Sequence, residues 1–167
     1  MSTNWDIGQL TGQTYQKLLT PLILGDMKSF LAFTNAALQY PCVNIRWSVA
    51  PYTGLSGWNK YKAVLVEIEV MTEAADKVDA TGVIVQPFEE IHTIYLNSVM
   101  NALCPDPFSD APISLLSRIQ AAAVPGVAFS MALVGNWTPS IDTAGTNRIM
   151  KTTITIDTVA EPVRVGA

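Results

Sequence analysis

Residues 63–71 read AVLVEIEVM, and residues 42–50 read CVNIRWSVA. In the first stretch Val64, Val66, Ile68 and Val70 alternate with Leu65, Glu67, Glu69 and Met71. In the second, Val43, Ile45, Trp47 and Val49 alternate with Cys42, Asn44, Arg46 and Ser48. Period-two alternation rich in β-branched residues is the pattern of a strand with one face buried. The link between the two, Pro51 to Asn59, has glycines but no room for a helix, so the strands are expected to form an antiparallel hairpin with an extended tip. A second pair is expected at the chain's end. Val127, Phe129, Met131 and Leu133 begin it, and Met150, Thr152, Ile154 and Ile156 close it, around a Pro/Gly/Thr-rich loop from Trp137 to Asn147.

Helical spacing fills the rest. Tyr15, Leu18, Leu19, Leu22 and Ile23 fit one helix that Pro21 should break or kink. A second helix is expected over Asp26 to Gln39, with Asp26 as N-cap and Pro41 forcing its end. The clearest helix runs from Pro87 to Leu103, where Phe88, Ile91, His92, Tyr95, Leu96, Val99 and Leu103 form one apolar stripe. Glu89 and Glu90 suit its positive start. A short helix over Ile113 to Ala123 is also expected. Adjacent strands without an intervening helix argue for α+β: an antiparallel or mixed sheet of about four main strands, with helices packed on one face. The expected organisation is a flexible arm over residues 1–13, one domain over 14–160 and a tail over 161–167.

Composition narrows the function. The chain has 167 residues, 49% of them hydrophobic and only 14% charged, and a net charge of −4. A typical domain is about a quarter charged. The shortfall fits either a protein buried in an assembly or a compact monomer of low charge. Ten scattered basic residues form no stripe that would neutralise phosphates, which argues against DNA binding. The first 16 residues lack the basic start and apolar run of a signal peptide, and no stretch is long and apolar enough to span a membrane. A soluble protein made in a cytoplasm is expected.

No cofactor or metal site is expected. His92 is the only histidine, and it lies inside an apolar stripe. A hydrolase would have to pair it with Cys42 or Cys104. Cys104 lies roughly 18 Å from it along a continuous helix, which leaves Cys42. No nucleophile elbow, P-loop or dinucleotide fingerprint is present. Glu67 and Glu69 share a strand face, where a solvated surface is the simpler reading. The loop aromatics Tyr52, Trp58, Tyr61 and Trp137 either fold back onto the core or anchor a partner, and are candidate subunit-interface residues. A ligand-binding module would use Trp58 or Trp137 as a stacking wall.

The layout resembles the tail terminator, or tail-completion, proteins of long-tailed bacteriophages. The likeness runs through the Asp26–Gln39 helix, the strand entry Tyr40-Pro41-Cys42-Val43-Asn44-Ile45 and the strand at Tyr61 to Thr72. It continues through an acidic turn at Glu73 to Thr81, the Pro87–Leu103 helix, and the strands at Val127 to Asn136 and Arg148 to Val159. The resemblance implies a virion protein without enzymatic activity. It implies a homohexameric ring that caps the tail tube, contacts the tube protein and the neck or head connector, and lets DNA through without specific binding. A tube subunit or a head-completion protein shares this texture. In such a ring Glu67, Glu69, Glu73, Asp76 and Asp79 are candidate channel-lining carboxylates that would repel DNA backbone.

Overall fold

A computed structural model of the chain describes residues 6–32, 39–51, 61–104, 111–142 and 148–165. The elements run α1 (Ile7–Leu19), β1 (Lys28–Leu31), β2 (Cys42–Pro51), β3 (Lys62–Glu73), β4 (Lys77–Val78), β5 (Ile84–Gln86), α2 (Phe88–Leu103), α3 (Ala111–Ala122), β6 (Val127–Asp142) and β7 (Ile149–Pro162). Five strands make one sheet in the order β1-β2-β3-β7-β6, and β4 and β5 form a separate small ribbon. Only β1 against β2 is parallel; the other pairs are antiparallel. The fold is α+β, with a mixed sheet.

The alternation in β3 sets the layers. Val64, Val66, Ile68 and Val70 are buried with Val43 and Ile45 of β2 and Ile154 and Ile156 of β7. All three helices contribute to that cluster, through Tyr15 and Leu19, Val99 and Leu103, and Leu115 and Ile119. Each fully buried side chain of this size contributes roughly 1.5–3 kcal/mol. The opposite sheet face carries a smaller cluster, Cys42 and Met71 with Phe30, Tyr40 and Ile149 beside them.

The chain's start departs from the sequence expectation. Instead of a loose arm over 1–13, α1 begins at Ile7, capped by Asp6, whose carboxylate accepts from the Gln9 N–H at 3.1 Å. A lone helix of 13 residues is marginal in water, so packing must hold it. Gly8 and Gly12, one turn apart, lie flat on the Trp47 indole. A Cβ on Gly8 would stand 2.5 Å from Trp47 Cδ1, and one on Gly12 2.5 Å from Cε3 and Cζ3. The glycines that suggest a loop are what lets the helix approach β2. Tyr15 completes the seat, its hydroxyl 2.9 Å from Thr158 Oγ1.

The expected helix over Asp26–Gln39 is also corrected, since Lys28–Leu31 form strand β1. Phe30 packs in the small cluster and Leu31 against the main core. Adjacent residues pointing to opposite faces need a strand, and pairing with β2 overrides the helical spacing. The rest of that expected helix, 33–38, lies outside the described residues. α1 ends two residues before Pro21, as the proline requires.

At the other end β6 extends to Asp142, so Trp137 is strand and not loop. Two bulges, at Phe129/Met131 and Val134/Trp137, reset the alternation. Ala132 therefore faces the core in place of Met131, while Leu133 is turned outward. Thr155 Oγ1 pins the second bulge, accepting from the Asn136 N–H at 3.1 Å and donating to its carbonyl at 2.9 Å. Pro139 is tolerated because β6 is an edge strand. β7 runs to Pro162, which shortens the expected tail.

Gly8→Ala and Gly12→Ala are each expected to lower stability by about 1–3 kcal/mol, although alanine favours helix. Gly25→Ala, where an added Cβ meets nothing within 4 Å, should be neutral or slightly stabilising. Urea unfolding of the three variants checks both statements.

Candidate interaction surface

His92 sits in the first turns of α2, held between two strands. Thr72 Oγ1 of β3 lies 2.7 Å from its Nδ1, and Thr152 Oγ1 of β7 lies 2.8 Å from its Nε2. The residue is 2% exposed, and burial lowers the imidazole pKa. A neutral ring thus pins α2 to the two central strands. Neither cysteine faces it. α2 runs unbroken to Leu103, with Cys104 just past its far end. Cys42 clusters with Met71 on the sheet face opposite Thr72 and His92. Burial, with the Glu69 charge adding to it, pushes the Cys42 thiol up to about 12. Burial also raises Cys104, against an opposing effect of Arg118. Both therefore stay thiols near neutral pH.

The five carboxylates read as a channel lining occupy different environments. Glu69 is largely buried and bonded on three sides: Arg46 Nε at 3.1 Å, Lys151 Nζ at 3.2 Å and the Asn44 amide at 3.1 Å. Its charge is balanced within the sheet face. Glu67 is half-buried next to it, opposite Arg46 and Thr155 in register. Asp76 accepts from the Phe88 N–H at 2.8 Å and so caps α2, in place of the proline at the cap position. Asp79 folds the β4–β5 turn, accepting from the Thr81 N–H and hydroxyl and the Val83 N–H. Those bonds, the Thr81 hydroxyl first, hold its carboxyl below its usual range. Glu73 is exposed at the end of β3. Glu73 at the end of β3, Asp76 at the start of α2 and Asp79 in the ribbon turn follow one another along the chain beyond β3, while Glu67 and Glu69 lie within that strand.

Of the aromatic candidates, Tyr52 and Trp58 lie outside the described residues. Tyr61 is half-buried just before β3. Trp137 is 56% exposed on β6, registered with Ile154 on the helix side of the sheet. Ile141, four pairs further on, is also exposed. The two edges of the sheet differ. On β1, the outward Ser29 carbonyl takes the Gln16 side chain at 3.2 Å, and Thr20 reaches the Ser29 hydroxyl at 3.0 Å. On β6, Gln120 donates to the Phe129 carbonyl at 3.1 Å, near the strand's start. From Gly135 to Ile141 every residue of β6 is exposed.

Sequence reading missed the ribbon. Val78, Val83, Ile84 and Val85 are 55–63% exposed, on two strands of two and three residues and, for Val83, in the turn that joins them. The run Val83-Ile84-Val85 was the available signal, hidden because its neighbours read as an acidic turn. An open hollow of about 410 Å³ is lined by Ser48, Leu65, Met131 and Asp157 among others. Among the described residues no group of three or more histidine, cysteine or acidic side chains could hold a metal ion. Among them, too, no helix is long and apolar enough to cross a membrane.

No family model matches the chain, and no curated protein is significantly similar to it.

The buried imidazole predicts a pH dependence. Its folded pKa lies below the unfolded value of about 6.5, so the unfolded chain takes the proton first as pH falls. The stability involved is complete above about pH 6.5 and declines below it, by up to about 1.4 kcal/mol per pH unit. Comparing urea unfolding near pH 7.5 and pH 5, wild type should lose more stability than His92→Gln. Equal losses would contradict the assignment.

Proposed function

We propose that this chain is a structural subunit of a bacteriophage tail or neck. It closes with copies of itself into a hexameric ring that caps the tail tube and meets the head connector, while DNA passes without specific binding. One observation carries the reading: the outer half of β6, Gly135 to Ile141, is an exposed edge strand bearing Trp137 and Ile141. An open strand edge is a template for pairing with another chain, and soluble proteins ordinarily cover or blunt it. Its backbone groups would supply the contact, and Trp137 the apolar anchor. The resemblance to tail terminators, now without a helix over Lys28–Leu31, supports the same reading through its remaining parts, as does the low charge content. Of the carboxylates first read as a channel lining, the reading keeps Glu73, Asp76 and Asp79 as candidates. Glu69 is set aside because Arg46 and Lys151 neutralise it. The reading assigns the chain no bond-making step, no cofactor and a place in the virion.

Native mass measurement and negative-stain imaging of the purified protein test the proposal. Discrete rings are expected, and Trp137→Asp should weaken or abolish them while leaving the fold intact. Long cylinders would identify a tube subunit instead. A protein monomeric at every accessible concentration would contradict the ring.

A further inference from the structure

We infer that Pro139 sets the pairing specificity of the β6 edge: it bars a second β6 edge and so keeps two copies from joining there as a closed dimer. Its use in building a ring rests on the edge contact proposed above. The bar itself does not, because it follows from the backbone alone.

The groups that β6 presents to solvent are fixed by the ladder across the whole sheet. The N–H groups of Lys28 and Ala32 donate to the carbonyls of Pro41 and Ile45 at 3.1 and 2.9 Å. Ile45 thus turns its backbone toward β1, and Val43, two residues away, does the same. Along a strand the backbone groups of successive residues point to opposite sides. Asn44 and Arg46 therefore face β3, where they register with Glu69 and Glu67. Val66 and Ile68 are left to face β7, in register with Ile156 and Ile154. Thr153 and Thr155 then face β6. Thr153 registers with Thr138, and Thr155 Oγ1 holds both the N–H and the carbonyl of Asn136. The solvent side of the outer half of β6 therefore belongs to Trp137, Pro139 and Ile141, all of them exposed.

Trp137 and Ile141 each offer a donor and an acceptor there. Pro139, midway between them, offers a carbonyl and no N–H. The ladder to β7 loses nothing, since a donor at residue 139 would point away from it. What the proline removes is a bond to an incoming strand, one of the ways in which edge strands are guarded. The other edge of the sheet is guarded differently, by the Gln16 side chain on the outward Ser29 carbonyl.

Two β6 edges meeting antiparallel would be related by a twofold axis. In every register that covers both prolines, each Pro139 leaves one carbonyl of the other copy without a donor. In the register centred on residue 139 the two proline carbonyls face each other. A strand of different sequence meets one such gap instead of two. The distinction matters for assembly. A twofold pair closes at two subunits, whereas a ring needs unlike surfaces to meet. Pro139 suppresses the pairing that would use up the edge without building a ring.

Sedimentation velocity and native mass measurement of full-length variants test this. Pro139→Val restores the outward donor without touching the β7 ladder. It should form a discrete dimer at concentrations at least about 30-fold below any at which wild type does, the effect of two hydrogen bonds. Adding Ile141→Pro moves the gap along the same outward row and should return dimerisation to the wild-type level. A Pro139→Val variant that dimerises no better than wild type would overturn the inference and leave the ring proposal standing, as would a gain that survives Ile141→Pro. A wild type monomeric at every concentration, with a dimeric Pro139→Val, would remove the ring proposal and uphold the inference.

Discussion

The seat of α1 on Trp47 is the contact on which the rest of the molecule depends. The helix can reach β2 only where its surface is bare, and Gly8 and Gly12 provide two bare positions one turn apart. That close approach brings Tyr15, Leu18 and Leu19 into the main core and delivers Tyr15 to Thr158 on β7. It also sets Gln16 and Thr20 over the edge of β1. Thr14 adds a link to α3, its hydroxyl accepting from the Val124 N–H at 3.2 Å. One helix thereby ties the first strand edge, the sheet centre and the last helix together. Moving it outward by even an ångström would loosen all three, because protein interiors are packed without spare room.

The central strands and α2 were legible because their patterns are local and strong. The alternation in β2 and β3 and the apolar stripe of α2 each settle one element without outside help. The elements that misled are those in which a partner decides. Gly8 and Gly12 signal a loop until Trp47 is placed against them. Met27, Phe30 and Leu31 have helical spacing until β2 lies beside them. In β6 the bulges shift the phase twice, so strict alternation loses the strand after Phe129, and Pro139 reads as a breaker until the strand proves to be an edge. Bulges and close approaches are tertiary events that no window of sequence contains.

The candidate surfaces were legible in part. Trp137 reads in sequence as a loop aromatic that either folds back onto the core or anchors a partner, and the fold puts it, exposed, on an edge strand. The acidic run was visible as charge, yet its roles are mixed. Asp76 and Asp79 shape the backbone around the ribbon and α2, and Glu69 balances two cations across three strands. A carboxylate's neighbours in space decide between these uses, and sequence order does not reveal them. The exposed valines and isoleucine of the ribbon became meaningful only once β4 and β5 were seen to stand apart from the main sheet. His92 follows the same logic. The sequence shows it on an apolar stripe, and the fold adds the two threonines that hold it neutral between strands.

Burial against one face of a five-stranded sheet gives this chain a packed centre, and the functional account needs that centre to be rigid. Native-state amide hydrogen exchange addresses it directly, since a segment that frays exchanges far ahead of global unfolding. If α1 is locked by Trp47, the amides of residues 11–19 should exchange with the same opening free energy as those of β3 and β7. Exchange of α1 well ahead of the central strands would show the helix to be a loose appendage and contradict the account.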